Sequence, residues 1–235
     1  MRPVNEETAL SGHRPFPPPP KLGRLVTCYS LPLWVGIDPG FFGAIAVIDE
    51  SSKFISCHDM PITGDEGRQS EIDCEKLAKI VEKVVTSYPV KSTVLLEWPQ
   101  TRPDEAPESS KRFGVGLGLL EGMFAYTGNR PKRVAPNQWK GRLGLAGKLD
   151  DPQAAKLAAV EMAERVIGQL PTELLRGPRG GLKDGRAEAL LIAWEGLTRT
   201  RAGLAALPED LRIWRVCDGG NRGSRGRRKR EGPVI

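Results

Sequence analysis

The chain has 235 residues, of which 39% are hydrophobic, and this length and apolar content suffice for one well-packed core. Its four cysteines form no Cys-x-x-Cys pair and its two histidines are far apart, which excludes a disulfide framework, a zinc finger and a histidine-dependent catalytic triad. Six basic residues near the C-terminus account for the net charge of +6, so the rest of the chain is neutral overall. They are Arg222, Arg225, Arg227, Arg228, Lys229 and Arg230.

The N-terminal 30 residues are typical of a leader or an interaction arm outside the core. Proline fills most of the stretch from Pro15 to Pro20, which favours an extended chain. Glu6, Glu7 and these prolines stand where a secretory signal needs apolar residues, and no run of the sequence has the length of a membrane span. With the unpaired cysteines, this predicts an intracellular protein without a membrane partner, in a bacterial or phage-infected cytoplasm, and an organellar leader stays open.

The core is predicted to begin with three antiparallel strands. Apolar runs at Leu33 to Ile37, Ala44 to Ile48 and Phe54 to His58 are separated by short turn-forming segments. Helical spacing of apolar residues follows between Asp73 and Ser87, and a continuous apolar strand between Ser92 and Glu97. Because this strand is reached across a helix, we expect it to lie parallel to the first.

The second half of the core is predicted to be mostly helical. A glycine-rich helix from Ser109 to Thr127 precedes a short strand at Arg133 to Ala135, and helices follow from Pro152 to Ile167 and from Asp184 to Thr200. The order βββαβαβαα predicts an α/β domain over residues 31–203, in which helices cover a mixed sheet. Residues 204–235 form a basic C-terminal tail, which is either an electrostatic arm for nucleic acid or a solvated end.

Four acidic residues stand at the edges of these apolar elements. Asp38 ends the first strand, Glu97 ends the fourth, and Asp184 and Glu188 open the last helix. A carboxylate at the edge of a core must be paired, hydrogen-bonded or bound to a metal. Separately, each has a plainer interpretation as a turn residue, a solvated acid or a helix cap. Together, and without a histidine cluster, they favour a site for Mg²⁺, or for Mn²⁺ as a substitute.

The motifs in their order resemble those of RuvC-like Holliday-junction resolvases, closest to the phage-type and organellar branch. The similar pieces span residues 34–196: Gly36-Ile-Asp-Pro-Gly40, Glu97, the helix Ser110 to Gly122, Pro136-Asn-Gln-Trp-Lys140, and Asp184-Gly-Arg-Ala-Glu-Ala-Leu-Leu-Ile-Ala193. The resemblance implies an RNase H-like fold, a five-stranded mixed sheet whose first three strands are antiparallel and which helices flank.

The resemblance also implies catalytic roles for the four acids. Asp38 is expected to bridge two divalent ions, Glu97 to hold one of them, and Glu188 with Asp184 to hold the other. The last two acids are four residues apart here and three apart in the bacterial resolvases, and both spacings share one helix face. Since Glu188 lies on a helix that is apolar almost all round, we expect it to be the direct ligand and Asp184 to support it.

Several basic and aromatic residues are candidates for DNA contacts. Lys140 and Lys148 match lysines that contact phosphates in the family. Arg176, Arg179 and Lys183 lie in a glycine-rich segment that is either a DNA contact or a mobile linker. In the tail, the candidates are Arg227, Arg228, Lys229 and Arg230. Three aromatic residues could stack on unpaired bases or be buried in the core: Trp98, Phe113 and Trp139.

The expected function is resolution of four-way DNA junctions by a homodimer. The helix from Ser109 to Thr127 resembles the family's dimerisation helix, and a two-fold dimer could cut both equivalent strands of a junction. The expected products carry a 5′-phosphate and a 3′-hydroxyl, and no organic cofactor is expected. The alternatives are a broad debranching nuclease, a DEDD transposase and a catalytically silent DNA-binding protein. An actin-like phosphotransferase is disfavoured because the chain has no room for its second domain.

Overall fold

Five strands of the described residues form a central mixed sheet. The computed structural model describes residues 32–64, 70–87, 92–99, 106–145 and 151–200. The sheet strands are β1 (Leu33–Ile37), β2 (Ala44–Asp49), β3 (Phe54–Asp59), β6 (Thr93–Glu97) and β7 (Lys132–Val134), in the order β3-β2-β1-β6-β7. β2 is antiparallel to β1 and β3, whereas β6 is parallel to β1 and β7 is parallel to β6. The predicted α/β class and antiparallel start are confirmed, in the RNase H-like arrangement.

In the described part of the chain, five helices surround this sheet: α1 (Cys74–Thr86), α2 (Pro107–Tyr126), α3 (Pro136–Arg142), α4 (Pro152–Val166) and α5 (Asp184–Thr198). Two of them begin at aspartate caps that satisfy free backbone amides. The Asp73 carboxylate accepts from the Lys76 amide at 3.0 Å, and the Asp151 carboxylate accepts from the Gln153 amide at 2.9 Å. Among the described residues, no helix is long and apolar enough to cross a membrane.

The sequence interpretation missed the short helix α3 and a two-stranded ribbon. The ribbon pairs β4 (Ile62–Thr63) with β5 (Glu71–Ile72). Seven residues, or two strands of two, are too short to display a period of apolar residues. Our expectations for the leader, the C-terminal tail and Lys148 concern residues outside the described ranges.

The sheet separates two apolar layers because side chains of a strand alternate between its faces. In β1, Leu33, Val35 and Ile37 pack with α1 and α2, whereas Trp34 packs with α4 and α5. Both faces of β1 are therefore covered, which explains why its five residues are all buried.

Helix α5 lies directly on β1 at Gly36. A Cβ atom at Gly36 would overlap the carbonyl oxygen of Ala189 and the amide nitrogen of Ala193. Only glycine permits this close approach of helix and strand. The contact sets the second turn of α5, which carries Glu188, beside the end of β1.

Candidate active site

Asp38, Glu97 and Glu188 come together at one edge of the sheet. Asp38 follows β1 and Glu97 ends β6, and the carboxyl ends of these parallel neighbours meet at the same edge. The pKa of Asp38 is raised to about 7, mainly by burial and in addition by the negative charges of Glu97 and Glu188. The Gly40 amide, which donates to Asp38 Oδ1 at 3.1 Å, opposes this shift. The three carboxylates are therefore close enough for the charge of one to raise the pKa of another.

Glu97 is held by an indole. The residue is only 7% exposed, and Trp139 Nε1 donates to its Oε1 at 2.8 Å. Burial raises the pKa of Glu97, and the charge of Glu188 acts in the same direction, whereas the Trp139 hydrogen bond lowers it. The indole therefore fixes the carboxylate and favours its ionised form.

Lys140 supplies positive charge to this cluster. Its Nζ lies 2.7 Å from Glu188 Oε1. The Lys140 ammonium also lowers the pKa of Asp38 and the pKa of Glu97. One lysine therefore balances part of the charge of three carboxylates, and the pKa of Asp38 stays high.

Helix α3 carries both Trp139 and Lys140. An ion pair links Arg142, at the C-terminal end of α3, to Glu195 of α5. Arg142 Nη1 lies 2.5 Å from Glu195 Oε1, and Arg199 Nε lies 3.0 Å from the same oxygen. Glu195 is fully buried. A buried carboxylate between two guanidinium groups holds α3 across the sheet edge. The sequence interpretation missed Glu195 because an acid inside an apolar helix does not reveal its partner.

Asp184 is one turn before Glu188 and is held by a different lysine. Lys156 Nζ lies 3.1 Å from Asp184 Oδ2, and Asp184 lines a cavity of about 490 Å³. Arg186, on the same turn, binds Asp59 of β3 at 2.5 and 2.6 Å and donates to the Leu174 carbonyl at 3.0 Å. Lys156 and Arg186 are further residues that the sequence interpretation missed.

The three clustered acids fit a hard divalent cation by their chemistry. Among the described residues, no group of three or more histidine, cysteine or acidic side chains is arranged to enclose a metal ion. The donor set is nevertheless entirely carboxylate, and burial, followed by the negative charge of the neighbouring acids, raises the pKa values of Asp38 and Glu97. A divalent cation relieves this repulsion with the oxygen ligands that Mg²⁺ and Mn²⁺ prefer. Asp38, Glu97 and Glu188 are the residues that would hold it.

Of the two interpretations of Trp139, contact with DNA and burial in the core, the structure supports burial. Its ring is fully buried and its one polar atom is bonded to Glu97, so no face is open to a base. One face of the Trp98 ring is also covered, because the Arg133 guanidinium lies 3.7 Å from its ring centroid. That face is not available for stacking on a base. Phe113 packs against the core on the side of α1.

The expected basic contacts differ in their surroundings. Arg176 makes two hydrogen bonds to the Glu164 carboxylate, at 2.8 and 3.0 Å. Arg179 and Lys183 are exposed. Lys148, Arg227, Arg228, Lys229 and Arg230 lie outside the described part of the chain. Among the described residues of this set, Lys140 pairs with Glu188 and Lys183 directly precedes Asp184.

The chain resembles solved RuvC structures, whereas no family model and no curated protein matches it. Thermus thermophilus RuvC in complex with a Holliday junction substrate is 16% identical, with a TM-score of 0.48 over 77% of this chain and 95% of that chain. A second Thermus thermophilus RuvC structure is 16% identical, with a TM-score of 0.40 over 75% and 97% of the two chains. At this identity the likeness concerns the fold alone.

Proposed function

We propose that this protein is a metal-dependent endonuclease that resolves four-way DNA junctions. The observation that carries the proposal is the cluster of Asp38, Glu97 and Glu188, where burial and the two neighbouring acids raise the pKa of Asp38 to about 7. A protein that only bound DNA would gain nothing from crowding three carboxylates at the edge of the core, since the arrangement costs stability. This argues against the catalytically silent alternative.

The residues of the site have different roles in the proposed phosphodiester hydrolysis. Bound divalent cations would supply an activated water and neutralise charge on the leaving oxygen, the two requirements of phosphodiester hydrolysis. Asp38, Glu97 and Glu188 would hold the cations, and the Trp139 indole orients Glu97 and favours its ionised form. Lys140 pairs with Glu188 and is placed to contact a phosphate of the bound strand. Asp184, paired with Lys156, supports this arrangement.

A second copy of the chain is the proposed protein partner. The outward face of α2 exposes 57% of Val115 and 72% of Tyr126. On the same helix, a Cβ atom at Gly114, Gly118 or Gly122 would meet nothing within 4 Å. The four-residue spacing of these glycines leaves a smooth strip on which another helix could lie closely. A two-fold dimer through α2 would present two sites to the two equivalent strands of a junction.

The decisive experiment is cleavage of four synthetic substrates by the purified protein in Mg²⁺. A resolvase should cut a four-way junction in preference to a three-way junction, a flap and a linear duplex. Equal cutting of all four substrates would reject a dedicated resolvase and favour the broad debranching nuclease. Tight junction binding without cleavage in either Mg²⁺ or Mn²⁺ would establish the silent DNA-binding protein.

Substitutions of single acids connect this activity to the cluster. Asp38→Asn, Glu97→Gln and Glu188→Gln should each abolish cleavage and leave junction binding nearly intact, because binding rests on phosphate contacts. Asp184→Asn should keep weak activity that Mn²⁺ partly restores. Glu82→Gln, an exposed change on α1, is the matched control and should cut normally. A dead Asp184→Asn beside an active Glu188→Gln would reverse the two roles.

A further inference from the structure

A cavity beside the acid cluster has a composition suited to a nucleotide. It has a volume of about 490 Å³ and lies between the turn after β1, the end of β3 and the start of α5. This volume is within the range of pockets that hold small ligands. Phe42 and Met60 contribute apolar surface, and Lys156, Lys183 and Arg186 contribute positive charge.

Phe42 presents an exposed aromatic ring on a fixed backbone. Three quarters of the residue is exposed to solvent. The turn that carries it is closed by a hydrogen bond from the Gly43 amide to the Gly40 carbonyl at 2.8 Å. The backbone also presses on α5, since a Cβ atom at Gly185 would overlap the Phe42 carbonyl oxygen. A ring on so constrained a backbone loses little conformational freedom when it binds.

The charges around the cavity favour an anionic ligand. Both acids of the lining are already paired, Asp59 with Arg186 and Asp184 with Lys156. Three basic side chains face two acidic ones there, so the lining carries an excess of positive charge. Lys183, exposed at the rim, is placed for a phosphate.

The cavity is next to the proposed cleavage point. Asp184 in its wall precedes Glu188 by one helical turn, about 6 Å along the axis of α5. On the other side, the Gly43 backbone lies so close to Asp38 that a Cβ atom would overlap the Asp38 carbonyl oxygen. A strand whose phosphate lay at the acids would therefore bring an adjacent nucleotide to the cavity.

We propose that this cavity takes one unpaired nucleotide at the branch point of the DNA substrate, with its base stacked on Phe42 and its phosphate near Lys183. The inference rests on the proposed function and deepens it, because it supplies a reason for branched DNA to be preferred over a duplex. In a continuous duplex every base is paired and stacked, so no base reaches Phe42. At a branch point a base becomes available at a smaller cost.

The test is a binding experiment in which no cleavage can occur. The full chain carrying Asp38→Asn is titrated in EDTA against a four-way junction with 2-aminopurine at the branch point, and against a linear duplex of the same sequence. Adding Phe42→Ala should weaken junction binding by about 5- to 150-fold, the range expected for one base stacked on an aromatic ring. Duplex binding should not change, and the rise in 2-aminopurine fluorescence on junction binding should disappear.

Two further variants separate the aromatic ring from the charge. Phe42→Trp should restore both the junction affinity and the fluorescence change. Lys183→Gln should reduce the dependence of log K on log salt by about 0.9, one phosphate contact, and keep the fluorescence change. Because Phe42 is exposed, the unfolding midpoint of Phe42→Ala should equal that of its parent.

The outcomes distinguish the inference from the proposed function. If Phe42→Ala binds the junction as tightly as its parent does, the nucleotide site is wrong and the nuclease proposal stands. Equal weakening on junction and duplex would also reject stacking of an unpaired base. If the parent shows no preference for the junction over the duplex, both proposals fail together.

Discussion

Asp38 is a residue at which the proposed chemistry opposes the stability of the fold. Its pKa is about 7, compared with an ordinary value of 3.8, because burial and two neighbouring acids disfavour its charge. The folded protein therefore retains a proton between about pH 4 and 7 that the unfolded chain releases. The free energy of unfolding should fall as pH rises through this window, by on the order of 4 kcal/mol from this group.

Asp38→Asn should remove most of this pH dependence. Asparagine keeps an oxygen that can accept from the Gly40 amide and carries no charge. Urea unfolding in EDTA should show similar stability of variant and parent at pH 4, and a more stable variant at pH 8. Parallel stability curves for the two proteins would show that Asp38 is not the destabilising group.

Trp139 shows what a sequence pattern can and cannot reveal about a residue. The motif Pro136-Asn-Gln-Trp-Lys140 placed this tryptophan beside a basic residue, which made base stacking a reasonable hypothesis. Its actual partner, Glu97, is 42 residues away in the chain. Only the parallel pairing of β6 with β7, which leads into α3, brings the two together. The strand ends occupied by Asp38 and Glu97 were predictable because apolar runs ended there.

At the scale of elements, α3 depends on tertiary contacts. It is seven residues long, too short to be stable alone, and the buried carboxylate of Glu195 accepts from both Arg142 and Arg199. Replacing one arginine leaves the other to balance the buried charge. Replacing both leaves it without these two guanidinium groups, which breaks a buried ion pair and costs about 3–5 kcal/mol.

The double substitution Arg142→Met with Arg199→Met should therefore destabilise the protein by more than the sum of the two single changes. Unfolding free energies of the parent, both single variants and the double variant form the required cycle. The Arg142 variant should also cut DNA more slowly than the Arg199 variant, because α3 carries Lys140. Strictly additive effects would mean that the two arginines do not share Glu195.

The longer elements were predictable, and the direction in which α5 faces was not. The strands and helices found by periodicity agree with the structure to within a few residues at their ends. Helix α5 is apolar almost all round, so its sequence does not identify the face that touches the sheet. That face is set by the contact of Gly36 with Ala189 and Ala193, a close approach visible only once the elements are assembled.

For the whole molecule, the open strip on α2 leads to a prediction about assembly and products. Gly118→Arg should preserve the fold, since a Cβ atom at this position meets nothing within 4 Å. Its long charged side chain should prevent a second α2 from approaching. Gly118→Ala is the matched control. A methyl group leaves the strip almost as smooth as glycine does, and alanine should stabilise the helix by about 1 kcal/mol.

Mass measured by light scattering and the products from a cruciform plasmid should change together. The parent and Gly118→Ala should be dimers that linearise the plasmid, because two sites make paired cuts. Gly118→Arg should be a monomer that gives mainly nicked circles, because one site cuts one strand at a time. A Gly118→Arg protein that remains dimeric would place the interface elsewhere. A monomeric variant that still linearised the plasmid in one binding event would show that paired cutting does not require the dimer.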